Sequence, residues 1–142
     1  FGPEFTALSG GAKIAHIRDW VGRVMTYRRG ASHSGTSAMD TLESREGVCR
    51  DYAHLVCALA RAADIPARYA AVYGTQVSPP DFHAVAQVWL SGAWHFVDAT
   101  GMCRANSLAL IAVGRDACEV AFMETASEAR MLRQVVQVTQ AA

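Results

Sequence analysis

Apolar residues near the start of the chain recur at the spacing of one face of an amphipathic helix. The period of three to four residues predicts a first helix over residues 12–27. Residues 28–36 are polar and contain two glycines, so a loop is expected there. The members of the apolar face are Ile14, Ile17, Val21 and Val24.

A short second helix is expected from Ala38 to about Ser44. Ser37 precedes it and is a suitable N-cap, because its hydroxyl can accept a hydrogen bond from a free backbone N–H of the first turn. Gly47 is expected to end this helix.

The third helical pattern is the longest without Gly or Pro, and it covers residues 49–63. Its apolar positions form a single stripe, which indicates a central, buried helix. Pro66 places its end near Asp64 and Ile65, because the residue before a proline avoids the helical region. The apolar stripe consists of Tyr52, Leu55, Val56, Leu59 and Ala63.

Strand patterns follow the helices. Residues 67–73, 83–90 and 93–99 are rich in β-branched and aromatic residues, and Ser91-Gly92 between the last two is typical of a tight hairpin turn. A last strand is predicted over residues 131–138.

The fold class follows from the order of these elements, helices first and mostly antiparallel strands afterwards. That order indicates an α+β domain. The region from Gly101 to Ser127 has no clear period, and the chain shows no internal repeat.

Composition narrows the class of protein. The chain has 142 residues, of which 51% are apolar and 18% charged, so one folded domain is expected. The formal net charge is zero, which argues against a nucleic-acid partner. No apolar stretch is long enough for a membrane helix, and no signal peptide is visible, so we expect a cytoplasmic protein. The first residue is not Met, so targeting information could be missing.

The four cysteines are Cys49, Cys57, Cys103 and Cys118. They could form two disulfides in three pairings. A domain of this size does not need them, and the spacing shows no framework, so free thiols are expected. No pair has the spacing of a structural zinc site, and none is expected.

The hairpin brings two polar residues together. If Ser91-Gly92 is a two-residue turn, the numbers of paired residues sum to 183, and Asp98 lies opposite Val85. His83 points to the same face as Val85, because side chains two apart in a strand share a face. His83 and Asp98 are then diagonal neighbours within reach of each other.

Cys49 stands at the start of the long helix. The free N–H groups and dipole of a helix start stabilise a thiolate, and the Cys49 amide could also hold an oxyanion. A helix laid across the sheet could bring Cys49 to His83, giving a Cys49–His83–Asp98 triad. Spacing alone leaves ordinary alternatives open: a small core cysteine, a surface histidine at a strand end and an aspartate capping a turn.

Three segments resemble one protein family. GVCRDYAHL at 47–55, DFHAVAQVWL at 81–90 and WHFVDAT at 94–100 are similar to the transglutaminase-like superfamily, in particular to bacterial members provisionally described as cysteine proteases. The resemblance extends through 65–74 and 113–122, and so covers the chain from about residue 12 to its end.

The resemblance implies a papain-like α+β core over residues 12–142, with residues 1–11 as a tag remnant or N-terminal extension. It implies that Cys49 is the nucleophile, His83 the general base and acid, and Asp98 the orienting carboxylate. The reaction is acyl transfer through a thioester: water as acceptor gives hydrolysis, and an amine gives a crosslink. We expect a polypeptide or amide substrate and no cofactor.

Two departures from the family matter. Many relatives carry an N-terminal β-rich domain that this sequence lacks, so a substrate-binding or regulatory part could be missing. No acidic cluster resembles the ion sites of calcium-dependent transglutaminases, so no calcium requirement is expected. The oligomeric state is left open.

Other residues have competing interpretations. Asp51 is expected to interact with the helix dipole, and His54 to be buried and hydrogen-bonded rather than catalytic. Tyr27 or Thr36 could supply a second oxyanion donor.

Trp89 and Trp94 share the face of His83 and could line the substrate groove or belong to the core. His95 faces the other way and is excluded from the site. Arg115-Asp116 is expected to be an internal ion pair. The leading function is hydrolysis of peptide or amide bonds; the alternatives are an amide-forming acyltransferase and a non-catalytic peptide-binding module.

Overall fold

The computed structural model describes residues 3–139. The helices within this range are α1 (Pro3–Ala7), α2 (Gly10–Val24), α3 (Ala38–Ser44) and α4 (Cys49–Ala62), with a 3₁₀ turn at Ala105–Ser107. The strands are β1 (Thr26–Tyr27), β2 (Glu46–Gly47), β3 (Ala67–Gly74), β4 (His83–Leu90), β5 (Ala93–Val97) and β6 (Leu108–Gly114).

Four of the strands form one antiparallel sheet in the order β5–β4–β3–β6. The short strands β1 and β2 form a separate parallel pair. The helices precede the sheet in the chain, and α4 packs against β3 and β4. The predicted α+β class, with a helix that starts at Cys49 packed on an antiparallel sheet, is confirmed.

The core lies between α4 and one face of the sheet. Tyr52, Leu55 and Val56 of the predicted apolar stripe are buried, whereas Leu59 and Ala63 are only half-buried. The buried members pack against Ala86 and Val88 of β4, and α2 covers their other side with a residue such as Ile17. Because α4 is enclosed by both α2 and the sheet, its first residue has a fixed position in the molecule.

The hairpin of β4 and β5 has the predicted register. Leu90 pairs with Ala93 and Ala86 with Val97, so both pairs sum to 183. Ser91 and Gly92 have φ angles of 51° and 83°, the positive values that a tight two-residue hairpin turn requires.

The predicted bounds of α3 and its capped start are confirmed, but the residue expected to end it, Gly47, is wrong. The Ser37 hydroxyl accepts the Asp40 N–H at 3.2 Å, while the Asp40 carboxylate accepts the Ser37 N–H at 2.8 Å. The helix ends at Arg45, which has a left-handed φ of 55°. Gly47 lies beyond the end and pairs with Tyr27 in the small parallel sheet.

The prediction of a last strand over residues 131–138 is wrong. Those residues are irregular, and the strand at that edge of the sheet is β6, which pairs with β3 through a register shift at Ala71 and Val72. β6 lies in the region that showed no clear period. Most of its residues are exposed. Because neither face of β6 is buried in the core, its sequence does not alternate between apolar and polar residues.

The first helix differs from its prediction at both ends. α2 begins at Gly10 and stops at Val24, because Met25 is extended and the chain continues into β1. α1 lies before it, and the Phe5 ring packs against the core cluster and lies 5.7 Å from the His16 ring.

All four cysteines are free, as predicted. Among the described residues, no helix has both the length and the apolar character needed to cross a membrane.

Candidate active site

The structure brings Cys49, His83 and Asp98 together. His83 Nε2 lies 2.9 Å from Asp98 Oδ2, as the hairpin register predicted. The Cys49 thiol is near enough for its hydrogen bonding and charge to help raise the pKa of His83. With Nε2 donating to the carboxylate, Nδ1 is the ring nitrogen left for the sulfur. The side chains of His83 and Asp98 are only 1% and 3% exposed, so this pair is shielded from water.

Cys49 is the first residue of α4 and is 9% exposed. It packs among Ala53, Tyr69, Ala84 and Val120, which fix the sulfur beside the start of β4. Because Cys49 begins the helix, its own N–H is among those without a partner inside the helix.

The Tyr27 side chain lines the same cavity as Cys49. Its hydroxyl is near enough for hydrogen bonding with the backbone and thiol of Cys49 to influence its pKa. Burial, followed by the negative charge of a Cys49 thiolate, raises the pKa of Tyr27, so the hydroxyl keeps its proton and can donate it in a hydrogen bond. Of the two predicted oxyanion donors, Tyr27 is at the thiol, whereas Thr36 accepts the His33 N–H at 3.0 Å and does not line the cavity around Cys49.

Four donors converge on the Asp98 carboxylate. Oδ2 accepts His83 Nε2 and the Cys103 N–H, at 2.9 and 3.0 Å. Oδ1 accepts the Thr100 N–H at 2.9 Å and the Thr100 hydroxyl at 2.6 Å. The bond from the Thr100 N–H is the turn cap that was an alternative role for Asp98, so the aspartate has both roles. Sequence reasoning missed Cys103, because its role depends on how the loop after β5 folds back on the carboxylate.

These contacts set the ionisation of the pair. Burial opposes a charged imidazole, but the hydrogen bonds and charges of Asp98 and Cys49 outweigh it and raise the pKa of His83 to about 9. Burial also acts to raise the pKa of Asp98, but the hydrogen bond and charge of His83 and the Thr100 donors lower it overall. The pair is therefore a buried imidazolium–carboxylate couple near neutral pH.

The side chains of His83, Asp98 and Cys103 also offer three potential metal ligands within 4.8 Å of one another. All four lone-pair positions of the Asp98 carboxylate already accept a hydrogen bond. An ion could bind there only by displacing one of these donors, so the set fits a hydrogen-bonded pair better than a metal centre.

Asp51 fixes the start of α4. Its carboxylate is fully buried and accepts the Val48 N–H at 2.8 Å and the Ser32 hydroxyl at 2.5 Å. Arg50 approaches both, with Nη2 at 2.7 Å from Ser32 Oγ and 3.4 Å from Asp51 Oδ1. The expected dipole contribution of Asp51 is thus accompanied by direct capping, which joins the Cys49 helix to the loop over residues 28–36.

A cleft of about 570 Å³ opens onto Cys49 and His83. We call it the Cys49 cleft. Its lining includes the loop after β3 and part of the stretch over residues 115–122 that follows β6, which we call the wall segment. The apolar residues of the lining are Val48, Val77, Pro79, Phe82, Met102, Ala117, Val120, Ala121 and Phe122.

His54 holds the wall segment against α4. Its Nε2 accepts the Ala117 N–H at 3.0 Å, so the predicted hydrogen-bonded, non-catalytic position is supported. Burial lowers the pKa of His54 despite the opposing charges of Asp116 and Asp51, which keeps the ring neutral and able to accept. Arg61 adds a second tie from α4, with Nη2 donating to the Arg115 carbonyl at 2.7 Å.

The two tryptophans of the hairpin lie away from the cleft. The rings of Trp89 and Trp94 are 5.3 Å apart, and the Arg68 guanidinium lies 4.0 Å from the Trp94 ring centre. Trp89 is 41% exposed and neither ring lines the cleft, so neither the groove nor the core interpretation fits. His95 is exposed and outside the site, as predicted.

The expected ion pair between Arg115 and Asp116 forms, with Nε and Oδ2 3.5 Å apart. The Arg115 side chain is 73% exposed, so the pair lies at the surface of the wall segment rather than inside the protein.

The fold is a helical layer on an antiparallel sheet, and a thiol, an imidazole and a carboxylate meet where α4 begins. The family model of the transglutaminase-like superfamily matches residues 4–99, so the chain belongs to that superfamily. The resemblance seen in the three sequence segments is therefore confirmed.

Three relatives illustrate the similarity. An uncharacterized protein of Mycobacterium leprae is 31% identical over 119 residues, covering 78% of this chain and 42% of that protein. A crystal structure from Cytophaga hutchinsonii, provisionally described as a cysteine protease, is 47% identical with a TM-score of 0.75, covering 77% of this chain and 38% of that one. The structure of a TGase shares the fold at 19% identity and a TM-score of 0.58, and the match covers 72% of this chain and 30% of the TGase chain. This chain thus spans well under half the length of these relatives.

Proposed function

We propose that this domain cleaves peptide or amide bonds through a thioester on Cys49. The observation that carries the proposal is the position of His83, whose Nε2 lies 2.9 Å from Asp98 and whose pKa is raised by both Asp98 and the neighbouring Cys49 thiol. A nucleophile, a base and an orienting carboxylate in this order are what nucleophilic acyl transfer requires.

In the first half-reaction, the Cys49 sulfur attacks the carbonyl carbon of the scissile bond, and the carbonyl oxygen becomes an oxyanion. The Cys49 N–H and the Tyr27 hydroxyl are the two donors available to hold that oxygen. His83 then gives its proton to the leaving amine, the C–N bond breaks, and a thioester with Cys49 remains. The raised pKa of His83 suits it to be this acid near neutral pH.

In the second half-reaction, the neutral His83 takes a proton from water, which attacks the thioester carbonyl. The C–S bond breaks, the acid product leaves, and the proton returns to the Cys49–His83 pair. Asp98 keeps the imidazole in one orientation through both steps, because its own position is held by Thr100 and Cys103.

The first test is selective alkylation with limiting iodoacetamide at pH 6, followed by mapping of the modified cysteine. Cys49 is expected to react fastest, although Cys118 is the exposed cysteine. Burial raises the pKa of Cys57 to about 12 and also raises the pKa of Cys103, so both should react slowly. Labelling dominated by Cys118, or shared among the four cysteines, would contradict the proposal.

His83→Ala should abolish the fast reaction of Cys49, and His95→Ala is the matched control that should retain it. A glutamine-containing peptide library with and without a labelled primary amine then separates the possible acceptors. Hydrolysis yields free acids only, whereas incorporation of the amine would favour an amide-forming acyltransferase. A reactive Cys49 is itself incompatible with a purely non-catalytic binding module.

A further inference from the structure

A row of three stacked aromatic rings leads to the cleft. The Phe82 ring lies between Tyr73, 5.6 Å away at 29°, and Phe122, 4.8 Å away at 15°. Both faces of Phe82 are therefore covered, and stacking at these separations holds its ring in one orientation. Phe82 and Phe122 line the Cys49 cleft.

This aromatic wall is next to the reactive pair. Phe82 directly precedes His83 in the chain, and both side chains line the same cavity as Cys49. Val77, Met102 and Val120 extend the apolar surface around it, and they come from three separate loops. A side chain bound against the exposed surface of Phe122 and the edge of the Phe82 ring would thus lie in the cavity that Cys49 also lines.

The nearest carboxylate is occupied by contacts within the protein. Asp81 Oδ1 accepts the Phe82 N–H at 2.8 Å and Gln134 Nε2 at 2.6 Å. Phe122 nevertheless remains 45% exposed, although it is part of a stacked aromatic group. Val77 and Val120 are only 9% and 7% exposed, so Phe122 is the member of this group whose apolar surface the protein leaves largely uncovered.

We propose that the wall formed by Phe82, Phe122, Val77, Met102 and Val120 is a subsite for a large apolar side chain, aromatic above all, on the acyl side of the bond that is cleaved. This inference rests on the proposed function and names its substrate class. An apolar side chain gains by leaving water here, whereas the amide of a glutamine would lose hydrogen bonds to water against this surface.

The test compares peptidyl acyloxymethyl ketones that carry either Phe or Gln next to the reactive group. These reagents alkylate the active-site thiol, so their rates report binding in the cleft. The wild-type protein should react with the Phe reagent faster by on the order of ten- to a hundred-fold. Phe122→Ala should reduce this preference to within about threefold of equality, by the same reasoning.

Met123→Ala is the matched control, because Met123 is the next residue, is 48% exposed and does not line the cleft. It should keep the full preference for Phe. Equal rates for the two reagents in a protein whose Cys49 still reacts quickly with iodoacetamide would overturn the subsite and leave the proposed function standing.

If Cys49 proves unreactive, or if Phe122→Ala does not fold, a binding measurement tests the apolar subsite instead. Backbone amide NMR spectra of Cys49→Ala should shift at Phe82, Val120 and Phe122 on addition of N-acetylphenylalaninamide. N-acetylglutaminamide at the same concentration should give much smaller shifts. Shifts elsewhere, or equal shifts with both amides, would contradict the subsite independently of catalysis.

Discussion

At the scale of single residues, the protonation of His83 decides when the site can work. Its pKa of about 9 depends on two neighbours, the Asp98 carboxylate and the Cys49 thiol, which together outweigh burial. The imidazole must be charged to protonate the leaving amine. Activity should therefore persist above neutral pH and decline as the pH rises through about 9.

Asp98→Asn tests this dependence. The substitution removes the negative charge that raises the pKa of His83, so the basic limb of the kcat/KM profile should move to lower pH. The rate near neutral pH should fall by on the order of 10²- to 10⁴-fold, because the ring also loses its fixed orientation. A pH–rate profile with a suitable peptide substrate measures both. An unchanged basic limb would show that another group controls it.

Tyr27→Phe tests the oxyanion assignment. Removing the hydroxyl should lower kcat by about 10- to 10³-fold with little change in KM, because the lost hydrogen bond forms with the developing negative charge. Tyr73→Phe is the control: that ring stacks on Phe82, and its hydroxyl should not contribute to the reaction. An equal loss in both variants would remove Tyr27 from the mechanism.

Much of the site was predictable at this scale, for a simple geometric reason. A two-residue turn fixes which residues face each other, so the contact of His83 with Asp98 follows from numbering alone. The Thr100 N–H bond to Asp98 is the turn cap left open as an alternative for this aspartate, but the Cys103 N–H could not be predicted, because its position is set by backbone angles in an irregular loop. The choice of Tyr27 over Thr36 likewise required the pairing of β1 with β2.

At the scale of elements, the start of α4 depends on Gly47, because no Cβ fits at this position. A Cβ at Gly47 would lie 2.6 Å from Asp51 Cβ and 2.7 Å from Asp51 Oδ2. Asp51 is fully buried and cannot move aside without losing its hydrogen bond to the Val48 N–H. Gly47 is therefore required by close packing and not by an unusual φ angle.

Gly47→Ala should lower the free energy of unfolding by roughly 1–3 kcal/mol, the usual result of forcing extra volume into a packed site. It should also slow alkylation of Cys49, whose helix start would shift. Gly11→Ala is the control, because Gly11 lies in α2 with nothing within 4 Å of an added Cβ. Urea unfolding of both variants gives the comparison; equal stability of Gly47→Ala and the wild type would refute the packing argument.

The elements also show where sequence patterns stop being informative. Helix α4 and the hairpin were predictable because burial on one face imposes a clear period on their residues. β6 was missed because it is an exposed edge strand whose partner, β3, is more than thirty residues earlier in the chain. The apolar residues at 131–138 look equally suited to a strand. Whether a segment forms a strand depends on pairing with a free sheet edge, and β6 already occupies the edge of β3.

At the scale of the whole molecule, the Cys49 cleft is lined in part by the wall segment, which follows the last strand, β6. The wall segment has no helix or strand, and its position depends on ties to α4, chiefly the bond from the Ala117 N–H to His54. Only a neutral His54 can accept that bond through Nε2. Because burial lowers its pKa, the tie holds at neutral pH and is lost as the pH falls below the ordinary range for histidine.

His54→Ala should loosen the wall segment without changing the reactive residues. Trypsin should cut after Arg115, which is exposed, at least several-fold faster than in the wild-type protein. His54→Gln, whose side-chain oxygen can accept the Ala117 N–H, should restore resistance, and His95→Ala should behave as wild type. Mass spectrometry of timed digests identifies the cut; identical rates in His54→Ala would mean that other contacts hold the segment.

The tight turn at Ser91-Gly92 has a consequence for how this domain can change in length. Adding or removing one residue there would slide β5 along β4 and swing Asp98 to the opposite side of the sheet, away from His83. The loop over residues 28–36 sets no strand register in this sheet, so an added residue there would leave the pairing of β4 with β5 unchanged. The length of the two-residue turn at Ser91-Gly92 therefore determines whether Asp98 can reach His83.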